Sequence, residues 1–157
     1  MAFLHVSPVD DPANMNDKLR KVRFLYDHVM ERCHNLYHLR RNLSVDEQMI
    51  RQKGCTALKQ YMPKKPTKWG INVLANCAVS TSYYVDFIIY TGNVPGQDDT
   101  SMTCAVVITL TSGYEHQGYR VFTDNFYSSP ALLRDLRENG IDLVGTLRAN
   151  RSGVPNL

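Results

Sequence analysis

The sequence predicts an α/β domain, one mixed β-sheet with helices packed on it in the order βββαβαβ, preceded by an amphipathic helix. Three observations lead there. Five runs of strand length, at 43–50, 70–79, 83–90, 119–124 and 141–147, are rich in β-branched and aromatic residues. The two stretches between the later runs carry helix start and stop signals. The first three strands follow one another directly, whereas the later ones alternate with helices, the pattern of a meander followed by right-handed crossovers.

Taken in order, residues 1–40 form a lead and a helix, and residues 41–157 form the sheet domain. Ser7-Pro-Val-Asp-Asp-Pro-Ala-Asn14 is turn-rich, with Asn16 or Asp17 available as a helix cap. From 17 to 38, Leu19, Val22, Leu25, Val29, Cys33 and Leu36 recur near helical spacing among Lys, Arg and Glu, so this helix is expected to pack against the sheet edge, with a partner-binding helix as the alternative. Ser80-Thr-Ser82 is short enough to join two strands as a hairpin. The apolar run 101–110 fits a buried helix or a strand. Asp98, Asp99, Thr100 and Ser101 as cap candidates and Gly113 as a stop assign it to helix. Ser128-Ser-Pro130 opens a second helix that runs to Asn139, with Gly140 as its stop.

Length and composition set bounds on function. A chain of 157 residues with 43% hydrophobic content buries one core and is too short for two sizeable domains. A formal charge of +3 permits nucleic-acid contact without arguing for it, since the footprint of such contact is a local basic patch. No run approaches the length of a membrane span, and Met1-Ala-Phe-Leu-His-Val is too short for a signal peptide. Cys33, Cys55, Cys77 and Cys104 are widely spaced with no C-x-x-C pair, which suits reduced thiols in a cytosolic or nuclear protein. His34 and His38 lie four apart beside Cys33, but a structural zinc needs four converging ligands and nothing nearby completes a set, so no zinc is assigned.

Two acidic residues at the margins of strand-like runs draw the functional reading: Asp46 in Leu43-Ser-Val-Asp-Glu-Gln-Met-Ile50 and Asp124 in Tyr119-Arg-Val-Phe-Thr-Asp-Asn-Phe-Tyr127. If the first strand pairs with the 119–124 strand, the two aspartates face each other across neighbouring strands, the layout of an RNase H-like (retroviral integrase-like) fold. Close-set carboxylates are what a nucleic-acid cleavage site needs, because two divalent ions must be held about 4 Å apart. The plainer alternatives are that Asp124 caps the following turn and that 44–47 is a half-exposed strand with Glu47 outward. Glu47 and Asp86 are weaker candidates, Asp86 expected on the opposite face or an edge.

Five stretches together carry a family resemblance: Ser44-Val-Asp-Glu-Gln-Met-Ile50, Leu58-Lys-Gln-Tyr-Met-Pro-Lys-Lys-Pro-Thr-Lys-Trp-Gly-Ile71, Asp86-Phe-Ile-Ile-Tyr-Thr-Gly92, Phe122-Thr-Asp-Asn-Phe-Tyr-Ser-Ser129 and Gly145-Thr-Leu-Arg-Ala-Asn-Arg151. In this order they resemble the transposase domain of the piggyBac family, including its domesticated relatives. The resemblance implies a DDE/DDD-type domain that excises and inserts DNA with Mg²⁺ or Mn²⁺, with Asp46 and Asp124 as first and second catalytic and metal-binding aspartates. The family's third aspartate lies downstream of the Gly145–Arg151 motif, so the catalytic domain is expected to be incomplete here. Cys55, Gln52 and Asn72 replace a basic residue, an aromatic and a lysine common in the family. The resemblance also implies a DNA partner, a nuclear location and a dimer with another transposase-like chain. A domesticated, non-catalytic DNA- or chromatin-binding module is the alternative, and a decayed fragment a third reading.

Lys59, Lys64, Lys65 and Lys68, interleaved with Tyr61, Pro63, Pro66 and Trp69, form the basic patch expected to contact DNA: ammonium groups on an extended loop neutralise successive phosphates while Tyr61 or Trp69 stacks on a base. The plainer reading is a solvated loop, with Trp69 opening a buried strand. Arg148 and Arg151 form a second basic spot, or a solvated strand end.

Overall fold

A computed structural model describes residues 16–92, 94 and 101–154. The turn-rich lead at 7–14 and the cap candidates Asp98, Asp99 and Thr100 lie outside the described residues. Helix α1 (Arg23–Leu36) is followed by β1 (Asn42–Arg51), β2 (Lys59–Tyr61), β3 (Trp69–Ala78), β4 (Tyr83–Ile89), α2 (Met102–Thr111), β5 (Arg120–Thr123), α3 (Pro130–Glu138) and β6 (Asp142–Gly145).

The antiparallel meander β1, β3, β4 continues on the other side of β1 into the parallel pair β5 and β6. The expected pairing of the first strand with the 119–124 strand is present: Asn42 to Val45 run alongside Arg120 to Thr123. The departure is β2, which adds a fourth strand ahead of the first helix of the sheet domain. It pairs with the start of β3, and β4 with the remainder, along the same edge. Three residues containing a lysine show no period, so only their partner strand defines them.

The core lies under α2 and α3. On β1, Leu43 and Val45 alternate inward to meet Leu74, Val121 and the helices. Helix α2 is apolar all round and accordingly buries Cys104, Ala105, Val106, Val107 and Leu110, whereas α3 buries only the stripe of Leu132 and Leu136. The caps follow the sequence. Ser101 Oγ accepts the Cys104 N–H at 3.4 Å, and Ser129 Oγ accepts the Leu132 N–H at 3.1 Å, each such cap contributing about 1 kcal/mol. Pro130 opens α3, and Gly140 ends it at φ 68°, a conformation that favours glycine.

Helix α1 starts later than expected. Asp17 does not cap it: its carboxylate accepts the Leu19 N–H and the Arg23 guanidinium at 2.8 and 3.0 Å, which holds residues 17–22 in turns. None of the residues of α1 is buried. The helix rests on the β4 edge through Tyr26, whose hydroxyl donates to the Phe87 carbonyl at 2.6 Å, and through His34, 3.5 Å from Asp86.

Candidate functional site

The site grows out of a difference in strand length. Strand β5 ends at Thr123 while β1, still paired with β3, runs on to Arg51. The parallel ladder closes at Val45 and Thr123, so Asp46 and Asp124 are the next residues on each strand where the two part. In a parallel pair, residues in register project to the same face. Open α/β sheets place ligands at such carboxyl ends of strands.

Each aspartate uses one oxygen locally. Asp46 Oδ1 accepts the Glu47 N–H at 2.8 Å, and Asp124 Oδ1 accepts the N–H groups of Phe126 at 2.8 Å and Tyr127 at 3.4 Å. Asp124 therefore also caps its turn, as an aspartate before Asn-Phe-Tyr can, and both residues keep a second oxygen. Although Asp46 is solvent-exposed as a residue, desolvation of its carboxyl, followed by the charge of Glu47, pushes it above the ordinary aspartate range. That is the behaviour of a carboxylate partly withdrawn from water beside a second carboxylate. Hard oxygen donors are what Mg²⁺ and Mn²⁺ take, so Asp46 and Asp124 fit as two ligands of such an ion. Among the described residues no three His, Cys, Asp or Glu side chains converge into a metal cluster.

Of the two readings of Glu47, the plainer one that turned it outward does not hold. Glu47 points inward, on the same face as Leu43 and Val45, and its side chain is only 14% exposed. Lys65 Nζ lies 2.7 Å from its Oε1, and the Tyr127 hydroxyl donates to its Oε2 at 2.9 Å. Burial would raise the Glu47 carboxyl, but the bonds from Lys65 and Tyr127 outweigh it and hold it below the ordinary range. The same arrangement raises the Lys65 ammonium, through its bond to Glu47, and burial drives the Tyr127 phenol well above its usual range. Lys65 thus pins the β2–β3 loop beside the aspartates. Glu47 could have been found by counting in twos from Leu43; Tyr127, nearly fully buried, gave no such signal.

The other candidates divide. Lys64 and Lys68 are exposed on the loop between β2 and β3, which the Met62 N–H closes onto the Lys68 carbonyl. Lys59 lies on β2 with its ammonium 5.5 Å from the centre of the Trp69 ring. Trp69 does open β3, a largely buried strand, while its own ring, opposite Tyr61 at the sheet margin, is 53% exposed. Arg148 donates to Asn125 Oδ1 at 2.9 and 3.1 Å, and Arg151 donates to the carbonyls of Asn125 and Phe126. These two arginines brace the turn that carries Asp124. Asp86 is engaged by His34 of α1 and, across β3 from β1, is not brought to the aspartate pair. The bracing role of Asn125 was not foreseen in the sequence.

A mixed sheet of this topology, with paired aspartates where β1 and β5 separate, places the chain among RNase H-like catalytic-domain folds. The family model described as "Transposase IS4" matches residues 1–157. PiggyBac transposable element-derived protein 3 of Homo sapiens is 31% identical over 153 residues, covering 92% of this chain and 25% of that protein. The human chimeric ERCC6-PGBD3 protein is likewise 31% identical, and the match covers 14% of it. Among solved structures, a chain of the piggyBac transposase synaptic complex with hairpin DNA superposes with a TM-score of 0.85 at 26% identity, covering 94% of this chain and 31% of that one. The chain belongs to the piggyBac-type transposase family. It spans about a quarter of the length of the curated relative and under a third of the solved one.

Proposed function

We propose that this chain forms part of a DNA-transposition site, contributing two carboxylate ligands for Mg²⁺ or Mn²⁺ and a basic surface for DNA, and that it acts in the nucleus. The observation that carries the reading is the β1–β5 ladder, whose last pair, Val45 and Thr123, immediately precedes Asp46 and Asp124. Asp46 and Asp124 would hold the ion, which in such sites activates the attacking oxygen or stabilises the leaving one. Glu47, Lys65 and Tyr127 would fix the loop against β1, while Arg148 and Arg151 hold the Asp124 turn in place. Two carboxylates do not satisfy an octahedral ion, so water, DNA phosphate or further residues complete its shell. The solved neighbour is a transposase complex with hairpin DNA, which supports DNA as the partner.

Manganese titration followed by electron paramagnetic resonance tests the ligand assignment. The chain is expected to bind Mn²⁺ weakly, and Asp46→Asn and Asp124→Asn are each expected to lower the affinity at least tenfold, with the fold retained by circular dichroism. Affinity unchanged in both variants overturns the assignment.

For DNA, a duplex is expected to bind weakly, with little sequence preference and with affinity falling steeply with salt, because each neutralised phosphate releases condensed counterion. Lys64→Ala combined with Lys68→Ala removes two exposed ammonium groups and leaves the Lys65–Glu47 pair intact. The slope of log K against log salt should flatten by about 0.9 for each phosphate that is no longer neutralised. A parallel slope in the variant assigns these lysines to the solvated surface.

A further inference from the structure

The β2–β3 hairpin carries two large aromatic rings that the fold leaves bare. Tyr61 and Trp69 are a cross-strand pair with ring centres 4.7 Å apart and planes tilted by 38°, and they are 51% and 53% exposed. Rings of this size on a strand pair are ordinarily turned into a core, since each carries a large apolar area. Here they project at the sheet margin, away from α2 and α3. Two open hollows of about 630 and 510 Å³ meet at Lys59 and Trp69. The larger is lined by Arg51, Lys53, Lys59 and Lys68, and no acidic side chain lines either one.

From these features we infer that the hairpin is a binding site for an unpaired nucleotide of single-stranded nucleic acid, its base stacked on the Tyr61–Trp69 pair and its phosphates held by the surrounding cations. Charge alone suits any polyanion, a duplex included. The bare rings select further. In a duplex the base faces are already stacked on one another, so only an unpaired base offers a flat π surface to a side chain. The placement of Lys59 completes the arrangement. Its ammonium stands over the Trp69 ring, a contact of modest strength at an exposed site. A base can take over that ring face while the ammonium moves on to the phosphate of the same nucleotide. The pocket is separate in role from the aspartate pair: Arg51 and Lys53 follow β1 beyond Asp46, so a strand bound there would run along β1 toward the carboxylates. The inference rests on the reading of the chain as a DNA-binding domain and specifies which form of DNA this surface takes.

Trp69 is the chain's single tryptophan, so intrinsic fluorescence reports this site directly. The probes are a twelve-residue oligothymidylate, an abasic strand of equal length and charge, and a twelve-pair duplex. Oligothymidylate is expected to quench Trp69 and to bind about tenfold more tightly than the abasic strand. Trp69→Ala, followed by fluorescence anisotropy of labelled strands, should lower affinity for oligothymidylate about tenfold and leave duplex binding unchanged. Equal affinity for the base-bearing and abasic strands overturns the inference without recourse to a variant. Duplex binding that persists in that case leaves the broader DNA-binding reading standing, whereas failure of all three probes to bind overturns both.

Discussion

Gly70→Ala is expected to destabilise the domain by about 3 kcal/mol or more, as an overpacked site whose neighbours cannot yield. A β-carbon there would stand 2.3 Å from the carbonyl oxygen of Ile50 and 2.9 Å from its carbonyl carbon. Both are backbone atoms of β1, held in register against β3 by the ladder that pairs Ile50 with Ile71. No rotamer change relieves such a contact. Either β1 moves off β3, or the hairpin that pairs Gln60 with Gly70 opens. Gly54→Ala is the control, because its β-carbon would meet only the end of the Gln52 side chain at 3.4 Å. Urea unfolding measures both. A Gly70→Ala midpoint equal to that of Gly54→Ala would show that the strands part more easily than their pairing suggests.

Glu47→Ala is the second large effect, at about 2–3 kcal/mol. The substitution removes the acceptor of a hydroxyl on a residue that is 1% exposed and the partner of a half-buried ammonium. Leaving buried polar groups unpaired costs more than the intact bonds contribute. Glu47→Gln should cost less than about 1 kcal/mol, since the amide oxygen still accepts from Tyr127 and the partly exposed ion pair is itself worth little. The same pair of variants separates a pH effect. The Glu47 carboxyl is held below its ordinary value of 4.5. The stability supplied by its ionised form is therefore complete above that value and is lost as pH falls through the lower, folded one. Asp46, raised by desolvation and then by the charge of Glu47, acts in the opposite sense and offsets part of the loss. Denaturation midpoints for Glu47→Gln should accordingly fall less than those of the native chain on acidification below about pH 4.5. Identical acid slopes would remove Glu47 as the titrating group.

What the sequence disclosed and what it hid separate along physical lines. Local signals read well: Ser129, Pro130 and Gly140 bracket α3 because capping is decided within one turn of chain. The parallel pairing of β1 with β5 was also reachable, since only a few topologies satisfy the connection rules. Non-local partners were not. Strand β2 exists only because β3 runs beside it, and the exposure of Trp69 goes with its place opposite Tyr61 at the sheet margin. Asp17 looked like a cap because its competition for Arg23, six residues on, is invisible to a cap rule. In the candidate site, the two aspartates were legible as motifs, but the tie between Lys65 and Glu47 needed the loop's path.

The parallel ladder between β1 and β5 also has a kinetic meaning. Glu47 and Tyr127, whose hydrogen bond spans 80 residues of chain, belong to the two segments that flank the aspartates. The meander of β1, β3 and β4 closes over shorter stretches of chain than the one separating β1 from β5, which also contains α2, and the longer closure carries the larger entropy cost. Contacts of that separation slow folding and form when most of the chain is already compact. The segments carrying Asp46 and Asp124 are thus expected to meet late in folding, so a partly folded chain would lack the carboxylate pair proposed above to hold the metal.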